Sequence, residues 1–315
     1  MVGDLIHVRT IEIDVEAERD GRREARGRIC DRRHQGHTYT GSHVIGPGIV
    51  HDMSACLTID MGKGTIASAT SAMKRAAFDG SPETRFESCR DILPNVEQIA
   101  GARLDEDLAG AIRRTIGRER GCYHLTNLWL AIASLVSRIG AGSIDPAATL
   151  RRSLEFTARE GENGRVRFTG HLADIGQGAP RQTRLGFELD PRHYLLEEVD
   201  AAASPDLRPL PAAAVALEGV SLTTGFARAA VERLGAIPDA REILDLALGL
   251  NAVVTQAMLL TETPAVATAQ GPSTHEPTRH EPASRAAGTC YMWRAGGPVE
   301  RLPTGKLGGA GRPGG

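Results

Sequence analysis

The chain is poor in aromatic residues and has no excess of charge of either sign. Phe, Trp and Tyr make up only 4% of its 315 residues, too few for the stacked aromatic platforms with which single-strand binders hold bases. The 37 Lys and Arg residues nearly balance the 39 Asp and Glu residues, so the formal net charge is -2. Because this balance creates no broad cationic field, we expect neither nucleic acid nor a membrane as a partner.

Cysteines and export signals are scarce too. Five scattered cysteines are too few for a disulfide scaffold in a chain of this length. The first residues lack the basic stretch and apolar run of a secretory signal peptide. The apolar segment 122–139 is too short, and too polar at its start, for a membrane span. These absences predict a soluble, cytoplasmic protein.

Sequence motifs of common cofactor and nucleophile sites are also missing. The chain has no P-loop GxxxxGK[ST], no GxGxxG after a strand and no GxSxG nucleophile elbow. We therefore predict no organic cofactor. The hydrophobic fraction of 41% is close to the globular average, so the chain can bury a core.

The sequence does contain an internal repeat. Residues 9–13 (RTIEI) match residues 152–156 (RSLEF) at an offset of 143, and the match continues through three further pairs: Gly21 with Gly164, Gly27 with Gly170, and Asp31 with Asp174. Further matches follow at an offset of 130 (57–60 with 187–190) and of 118 (Gly101 with Gly219, Leu128 with Leu246). Ungapped matches separated by two changes of length predict a duplication, with two halves about a pseudo-twofold axis.

The first part of each half has the pattern of β-strands. Residues 8–16 and 22–31 alternate in character on either side of Asp20-Gly21, a typical hairpin turn. Residues 54–60 and 64–70 predict a second pair of strands.

The later part of each half has helical periodicity. Amphipathic patterns cover 104–117 and 122–139, and the second half ends in a helix over 240–260. Antiparallel strands followed by helices predict an α+β fold rather than a parallel, doubly wound sheet.

The predicted organisation has four parts. Residues 1–143 form the first repeat, which carries the candidate site, and residues 144–262 form a second, degenerate repeat. Residues 263–287 are rich in Thr, Ala, Pro, Ser, Glu and His, a composition typical of a flexible linker. Residues 288–315 begin with a short apolar patch, 288–293, that we expect to dock onto the domain, and end in a Gly-rich tail that we expect to be disordered.

The two halves differ in the residues capable of chemistry. His51-Asp52-Met53 stand where the second half has Arg181-Gln182-Thr183, and Gly121-Cys122-Tyr123-His124 stand where it has Asp239-Ala240-Arg241-Glu242. Positions present in one copy only cannot be required by a shared fold, so the site is predicted in the first half. Shared residues such as Asp31 and Asp174 are interpreted as serving turns and packing. Glu242 and Asp245 are predicted to lie on an exposed helix face.

These elements resemble a bacterial family known as domain of unknown function 2889. The resemblance rests on three features: His51-Asp52-Met53 before the strand 57–60, Cys89 between Pro82 and Pro94, and Gly121-Cys122-Tyr123-His124-Leu125 at the start of an apolar helix. It covers residues 8–140 well and the second half more loosely. Tyr123 replaces a Thr that the family often has, which touches no proposed ligand or base. The resemblance implies no reaction, so the chemistry has to be argued from the residues.

Four residues are candidates for catalysis. His51 is interpreted as a general base and Asp52 as its orienting or second acid–base group, since His–Asp pairs suit proton transfer. His124 is the other acid–base group. Cys122 is a nucleophile or a ligand contact, because the free N–H groups at a helix start favour a thiolate. The alternative is that Cys122 is a small buried residue and His124 a polar helix cap.

Zinc is a competing interpretation of the same residues. His51, Cys122 and His124, with Cys89 or Asp52, offer ligand types that suit zinc. The sequence lacks the CxxC and helical HxxxH spacings that identify zinc sites, and CxH alone is a weak signal.

Together these features predict an enzyme that acts on a small organic molecule by acid–base chemistry, as a lyase, isomerase or hydrolase. The alternatives are a non-catalytic small-molecule binding or scaffold protein, and a zinc-supported hydrolase. A homo-oligomer is compatible with each of these interpretations.

Overall fold

The computed structural model describes thirteen segments of the chain. They are 3–35, 38–40, 43–82, 84–104, 108–140, 148–176, 180–189, 194–204, 213–222, 226–235, 237, 240–261 and 290–298. The predicted boundary at 143, the predicted linker 263–287 and the Gly-rich tail lie outside them.

Eight strands form one antiparallel sheet. They are β1 (Leu5–Ala17), β2 (Arg22–Arg33), β5 (Gly48–Asp60), β6 (Thr65–Arg75), β7 (Leu150–Glu160), β8 (Val166–Ile175), β9 (Arg181–Leu189) and β10 (Leu196–Ala203). Their order across the sheet is β10-β9-β8-β7-β1-β2-β5-β6. The short strands β3 (Thr38–Thr40) and β4 (His43–Ile45) pair with each other in a separate ribbon.

Helices follow the strands in each part of the chain, as the change of period predicts. They are α1 (Leu93–Val96), α2 (Leu108–Ile116), α3 (Tyr123–Gly140), α4 (Phe226–Leu234) and α5 (Arg241–Thr261). This mixture of an antiparallel sheet and a few helices confirms the α+β class. None of the helices in the described segments is long and apolar enough to cross a membrane.

The hairpin turns adopt the backbone conformation that their residues favour. Asp20 and Gly21 have φ values of 64° and 71°, and Asn163 and Gly164 in the second half have 55° and 75°. Asp, Asn and Gly tolerate this left-handed region best, which is why they mark the turns in the sequence.

The core lies between one face of the sheet and the helices α3 and α5. Along β1, Ile11, Ile13 and Val15 are buried, whereas Glu12 between them and Glu16 after them are exposed, as expected for a strand covered on one face. Glycine allows α3 to approach the sheet closely, because a Cβ at Gly27 would lie 2.8 Å from Ile132.

The described end of the chain packs against the first half. The amide of Tyr291 donates to the carbonyl of Gly121 at 2.7 Å, and Met292 is buried. The Tyr291 hydroxyl and the Arg294 guanidinium both donate to the carboxylate of Glu87.

Candidate active site

Arg9, Asp31 and His51 form a row across three neighbouring strands. Arg9 on β1 is the register partner of Asp31 on β2, and Asp31 is the partner of His51 on β5. Directly opposite residues project from the same face of a sheet, here the face that the helices cover. The three side chains are therefore buried, with exposed fractions of 0%, 0% and 2%.

Asp31 is the hub of this row. Arg9 donates from Nε to Oδ1 at 2.7 Å and from Nη2 to Oδ2 at 2.9 Å. His51 Nδ1 lies 3.0 Å from Oδ2, and His7 Nε2 lies 3.1 Å from Oδ1. Burial disfavours the charged carboxylate, but the charge of Arg9 and the hydrogen bonds from both histidines outweigh it. The pKa of Asp31 therefore lies well below its ordinary value.

His124 joins the row from the first turn of α3. Its ring stacks on that of His51, with centroids 3.9 Å apart and planes inclined by 25°. As a whole residue, His51 is buried, whereas His124 is partly exposed. Burial, together with the charges of His51 and Arg9, lowers the pKa of His124 well below its ordinary value, so its ring is neutral near pH 7. We call His7, Arg9, Asp31, His51 and His124 the histidine centre.

The long helix α5 of the second half completes the histidine centre. Gln256 Nε2 lies 3.0 Å from His124 Nε2, so the amide donates to an unprotonated ring nitrogen. Asn251 donates to the hydroxyl of Tyr123 at 2.7 Å, beside His124. Neither residue stands out in the sequence, because their contacts depend on how α5 crosses α3.

Asp52 lies on the opposite face of the sheet from His51. Successive residues of a strand point to opposite faces. The carboxylate of Asp52 accepts two hydrogen bonds of 2.9 Å from Arg28, which lower its pKa. The expectation that Asp52 orients His51 is therefore corrected, and Asp31 takes that place. Because Asp31 recurs as Asp174 in the second half, the sequence favoured a packing role for Asp31. Its contact with His51 is visible only from the pairing of β2 with β5.

Cys122 lies immediately before α3 and touches the histidine centre only at its edge. Its Sγ is 4.0 Å from Nδ1 of His124. Burial raises the pKa of the Cys122 thiol to about 12, and the neighbouring Cys290 adds to the effect. The thiolate expected at the helix start is therefore not formed near neutral pH, because desolvation outweighs the N–H groups.

The zinc ligands expected from the sequence are not brought together as one set. Among the described residues, the group whose ligand atoms lie within 4.8 Å of one another is Asp31, His51 and His124, without Cys122 or Cys89. Cys89 is buried in a turn at 89–92, and burial raises its pKa well above the ordinary value. The lone pair of an imidazole nitrogen lies in the ring plane, so two nearly parallel stacked rings do not aim at one ion.

The second half carries a comparable row without histidine. Arg152 on β7 is the register partner of Asp174 on β8, which is the partner of Arg181 on β9. Arg152 donates to both carboxylate oxygens of Asp174, from Nε and Nη2, at 2.7 Å each. The Nη1 of Arg152 donates to Asp245 on α5 at 2.8 Å. We call Arg152, Asp174, Arg181, Glu242 and Asp245 the ionic centre.

The acidic residues at the start of α5 belong to this ionic centre. Glu242 pairs with Arg181 at 3.5 Å, in the place that the stacked His124 and His51 hold in the first half. The side chains of Glu242 and Asp245 are only 8% and 13% exposed. The prediction of an exposed helix face is therefore wrong, since Asp245 accepts from the buried Arg152 and Glu242 pairs with the half-buried Arg181.

Comparison with known proteins identifies one family. Residues 7–137 match the family model described as "Protein of unknown function (DUF2889)". The matched segment contains the whole histidine centre but ends before Asn251 and Gln256. No curated protein and no solved structure matches the chain.

Proposed function

We propose that this chain, which belongs through residues 7–137 to the DUF2889 family, is an enzyme that moves a proton on a small organic molecule. The observation that carries the proposal is the Asp31–His51 pair, 3.0 Å apart and buried, with a second imidazole stacked on it. A histidine held by a carboxylate is a common general base.

Each member of the site has a role that follows from its contacts. The ionised Asp31 holds the proton on Nδ1 of His51, which leaves Nε2 with a free lone pair to accept a proton from the substrate. As His51 becomes charged, the carboxylate of Asp31 stabilises it. His124 is the second acid–base group, because its neutral ring stacks on that of His51. Cys122 is a ligand contact and not a nucleophile, because its thiol stays protonated.

We also infer that the chain arose by internal duplication, with repeats at 1–143 and 144–262. Strands β1 and β7 pair at the middle of the sheet, and Ile11 lies opposite Leu154, its match at an offset of 143. Outward from this pair, each side continues with three more antiparallel strands. The histidine centre and the ionic centre occupy corresponding places in the two repeats.

The state of the cysteines favours a reducing compartment. None of the five, all of which lie in described segments, forms a disulfide, and two of them, Cys89 and Cys122, are buried. Since unpaired thiols are typical of proteins inside the cell, we place the enzyme in the cytoplasm.

The test is proton exchange between solvent and small molecules in D₂O. Proton NMR would follow loss of C–H signals and appearance of products for a panel of small acids, esters, amides and ketones. We expect one or more to react with the natural protein, and His51→Asn and His124→Asn each to slow that reaction by about 10²-fold or more. His171→Asn is the matched control, because this histidine is exposed on β8 of the second half.

Three outcomes would redirect the proposal. Saturable binding without turnover would support the non-catalytic binding protein. Stoichiometric zinc in the purified protein, lost in His124→Asn, would support a zinc-supported hydrolase. No exchange, together with a large loss of stability in both variants, would assign the histidines to the fold alone.

A further inference from the structure

One nitrogen of the Arg9 guanidinium stands out. Nε and Nη2 donate to Asp31, but Nη1 is buried and donates to none of the residues that the structure describes. The Arg9 side chain is fully buried, with an exposed fraction of 0%. An unsatisfied donor on a buried charge is unfavourable, and native proteins rarely leave one without a partner. This nitrogen therefore points to an acceptor from outside the chain.

The ionic centre shows what the corresponding nitrogen binds when the chain supplies the acceptor. Arg152 donates to Asp174 from Nε and Nη2, the same two atoms from which Arg9 donates to Asp31. Its Nη1 donates to the carboxylate of Asp245 at 2.8 Å and to the hydroxyl of Ser134 at 3.3 Å. The acceptor of this arginine nitrogen is thus chiefly a carboxylate.

Both acceptors have been replaced around Arg9. At the offset of 118, Asp245 corresponds to Asn127, and Ser134 corresponds to Ala252. The amide of Asn127 turns away and donates to the carbonyl of Tyr123 in its own helix, at 2.8 Å. Alanine has no acceptor in its side chain. The position beside Arg9 that corresponds to the Asp245 carboxylate is therefore available to the carboxylate of another molecule.

The reactive groups surround Arg9, and a cavity that no residue of the histidine centre lines begins two residues along β1. The Arg9 charge acts on His124 and Tyr123, which lie around it at the start of α3. Ile11, the next residue on the same face of β1, and Asn127 both line a cavity of about 390 Å³ between α3 and α5. Pockets for small organic ligands begin at about 300 Å³. Its other walls consist of apolar side chains such as Leu154, Phe156 and Leu248, together with the polar side chains of Arg113, Ser134, Ser137, Arg241 and Asp245.

We propose that the substrate of this site is a small carboxylic acid whose carboxylate binds Nη1 of Arg9. It would occupy the position that corresponds to that of the Asp245 carboxylate in the ionic centre. This inference rests on the proposed function, because it names the substrate class of the same site. A carboxylate fits better than a phosphate, since the vacated position is that of one side-chain carboxyl group. The apolar cavity walls suit the remainder of such an acid.

The first test is a thermal-shift titration with matched pairs of probes. Acetate, propionate and benzoate would be compared with acetamide, propionamide and benzamide, at ionic strength held constant with chloride. We expect at least one carboxylate to raise Tm saturably by about 2–4 °C, and its amide to have no effect. If no carboxylate stabilises the protein, or if amides or inorganic phosphate do so equally well, the inference is overturned.

The second test places the missing carboxylate in the chain. Asn127→Asp should raise Tm without ligand and abolish the response to carboxylates, because its side chain takes the place beside Arg9. Asn127→Ala should keep the response, since it adds no competing anion. The reciprocal variant Asp245→Asn should lower Tm while the response at Arg9 persists. A full carboxylate response in Asn127→Asp would contradict the proposal even if this variant is less stable.

These measurements separate the inference from the proposed function. Binding is read from Tm and needs no turnover. If carboxylates bind and Asn127→Asp abolishes their binding, but nothing exchanges protons in D₂O, the ligand class stands and the enzyme proposal fails. If only uncharged molecules react, the enzyme proposal stands and the carboxylate assignment fails.

Discussion

The histidine centre and the ionic centre place the same arginine–aspartate contact in two different settings. In each, an arginine of an inner strand donates two hydrogen bonds, from Nε and Nη2, to an aspartate of the next strand. The further partner of Asp174 is a second arginine, Arg138, whereas the further partners of Asp31 are the imidazoles of His7 and His51. The shared contact serves the sheet, and the variable surroundings decide whether the place can do chemistry.

The two centres also differ in whether every nitrogen of the buried arginine has a hydrogen-bond partner. A buried ion pair stabilises a fold only when the remaining donors and acceptors are paired. Arg152 has partners for all three nitrogens, since Asp174 and Asp245 both accept from it. Arg9 keeps Nη1 without a partner among the described residues. The first centre therefore gives up stability that the second retains, which is common where a protein binds a ligand.

The largest effects are expected from substitution of the central aspartate of each centre. Asp31→Asn should lower the free energy of unfolding by about 3–5 kcal/mol, because it leaves the buried Arg9 without a carboxylate. Asp174→Asn should lower it by less, because Asp245 still accepts a hydrogen bond from Arg152. Urea or guanidinium denaturation would measure both. Only Asp31→Asn should also abolish reaction and carboxylate binding. Loss of function in Asp174→Asn, at temperatures where it stays folded, would show that the centres are not separable.

The next effect is a pH dependence that belongs to the histidine centre alone. Burial lowers the pKa values of His7 and His124 in the folded protein, so the unfolded chain binds protons first as pH falls. Stability from these groups is complete above about pH 6.5 and is lost below it, by up to about 1.4 kcal/mol per pH unit for each histidine. Denaturation at pH 7.5 and pH 5.5 would measure the loss.

A control variant separates this loss from general acid denaturation. His124→Asn should flatten the pH dependence between pH 7 and 5, whereas His171→Asn on the exposed surface should leave it unchanged. The stability from ionised Asp31, whose folded pKa is lowered, disappears only in more acidic solution, below about pH 4. An unchanged slope in His124→Asn would contradict the assignment.

A smaller effect concerns the helices that cross between the halves. Gln256→Leu removes the hydrogen bond to His124, and Arg138→Leu removes the one to Asp174 at 2.9 Å. Each should cost about 1–2 kcal/mol of stability. Gln256→Leu alone should shift the pH profile of the reaction, because the hydrogen bond sets which nitrogen of His124 carries the proton. Equal changes of the profile in both variants would argue against this positioning role.

The smallest effect is expected at Cys122. With its pKa raised to about 12, its thiol should react slowly with iodoacetamide at pH 8, as should buried Cys89. The half-buried Cys30 and Cys56 should label sooner, which mass spectrometry would show. Cys122→Ala should leave turnover nearly unchanged. Complete inactivation by that variant, with the fold intact, would restore the cysteine to a chemical role.

Local patterns in the sequence determined much of the architecture. Alternation of apolar and polar residues marked β1 and β2, Asp20-Gly21 marked their turn, and helical periodicity marked α3. These features depend on neighbouring residues and on backbone preferences, which short stretches of sequence contain in full. The choice of His51 and His124 followed from the difference between the two halves of the sequence, and the fold brings their rings into contact.

The partners of those histidines were decided by the tertiary structure. Asp52 is adjacent to His51 in the chain, yet it faces away, because side chains alternate along a strand, while Asp31 is reached only through the pairing of β2 with β5. Gln256 arrives from 132 residues away on a helix of the other half. Whether Cys122 ionises was likewise decided by its burial. A sequence lists the groups able to donate, accept or ionise, but register, packing and desolvation determine which of them meet and which remain charged.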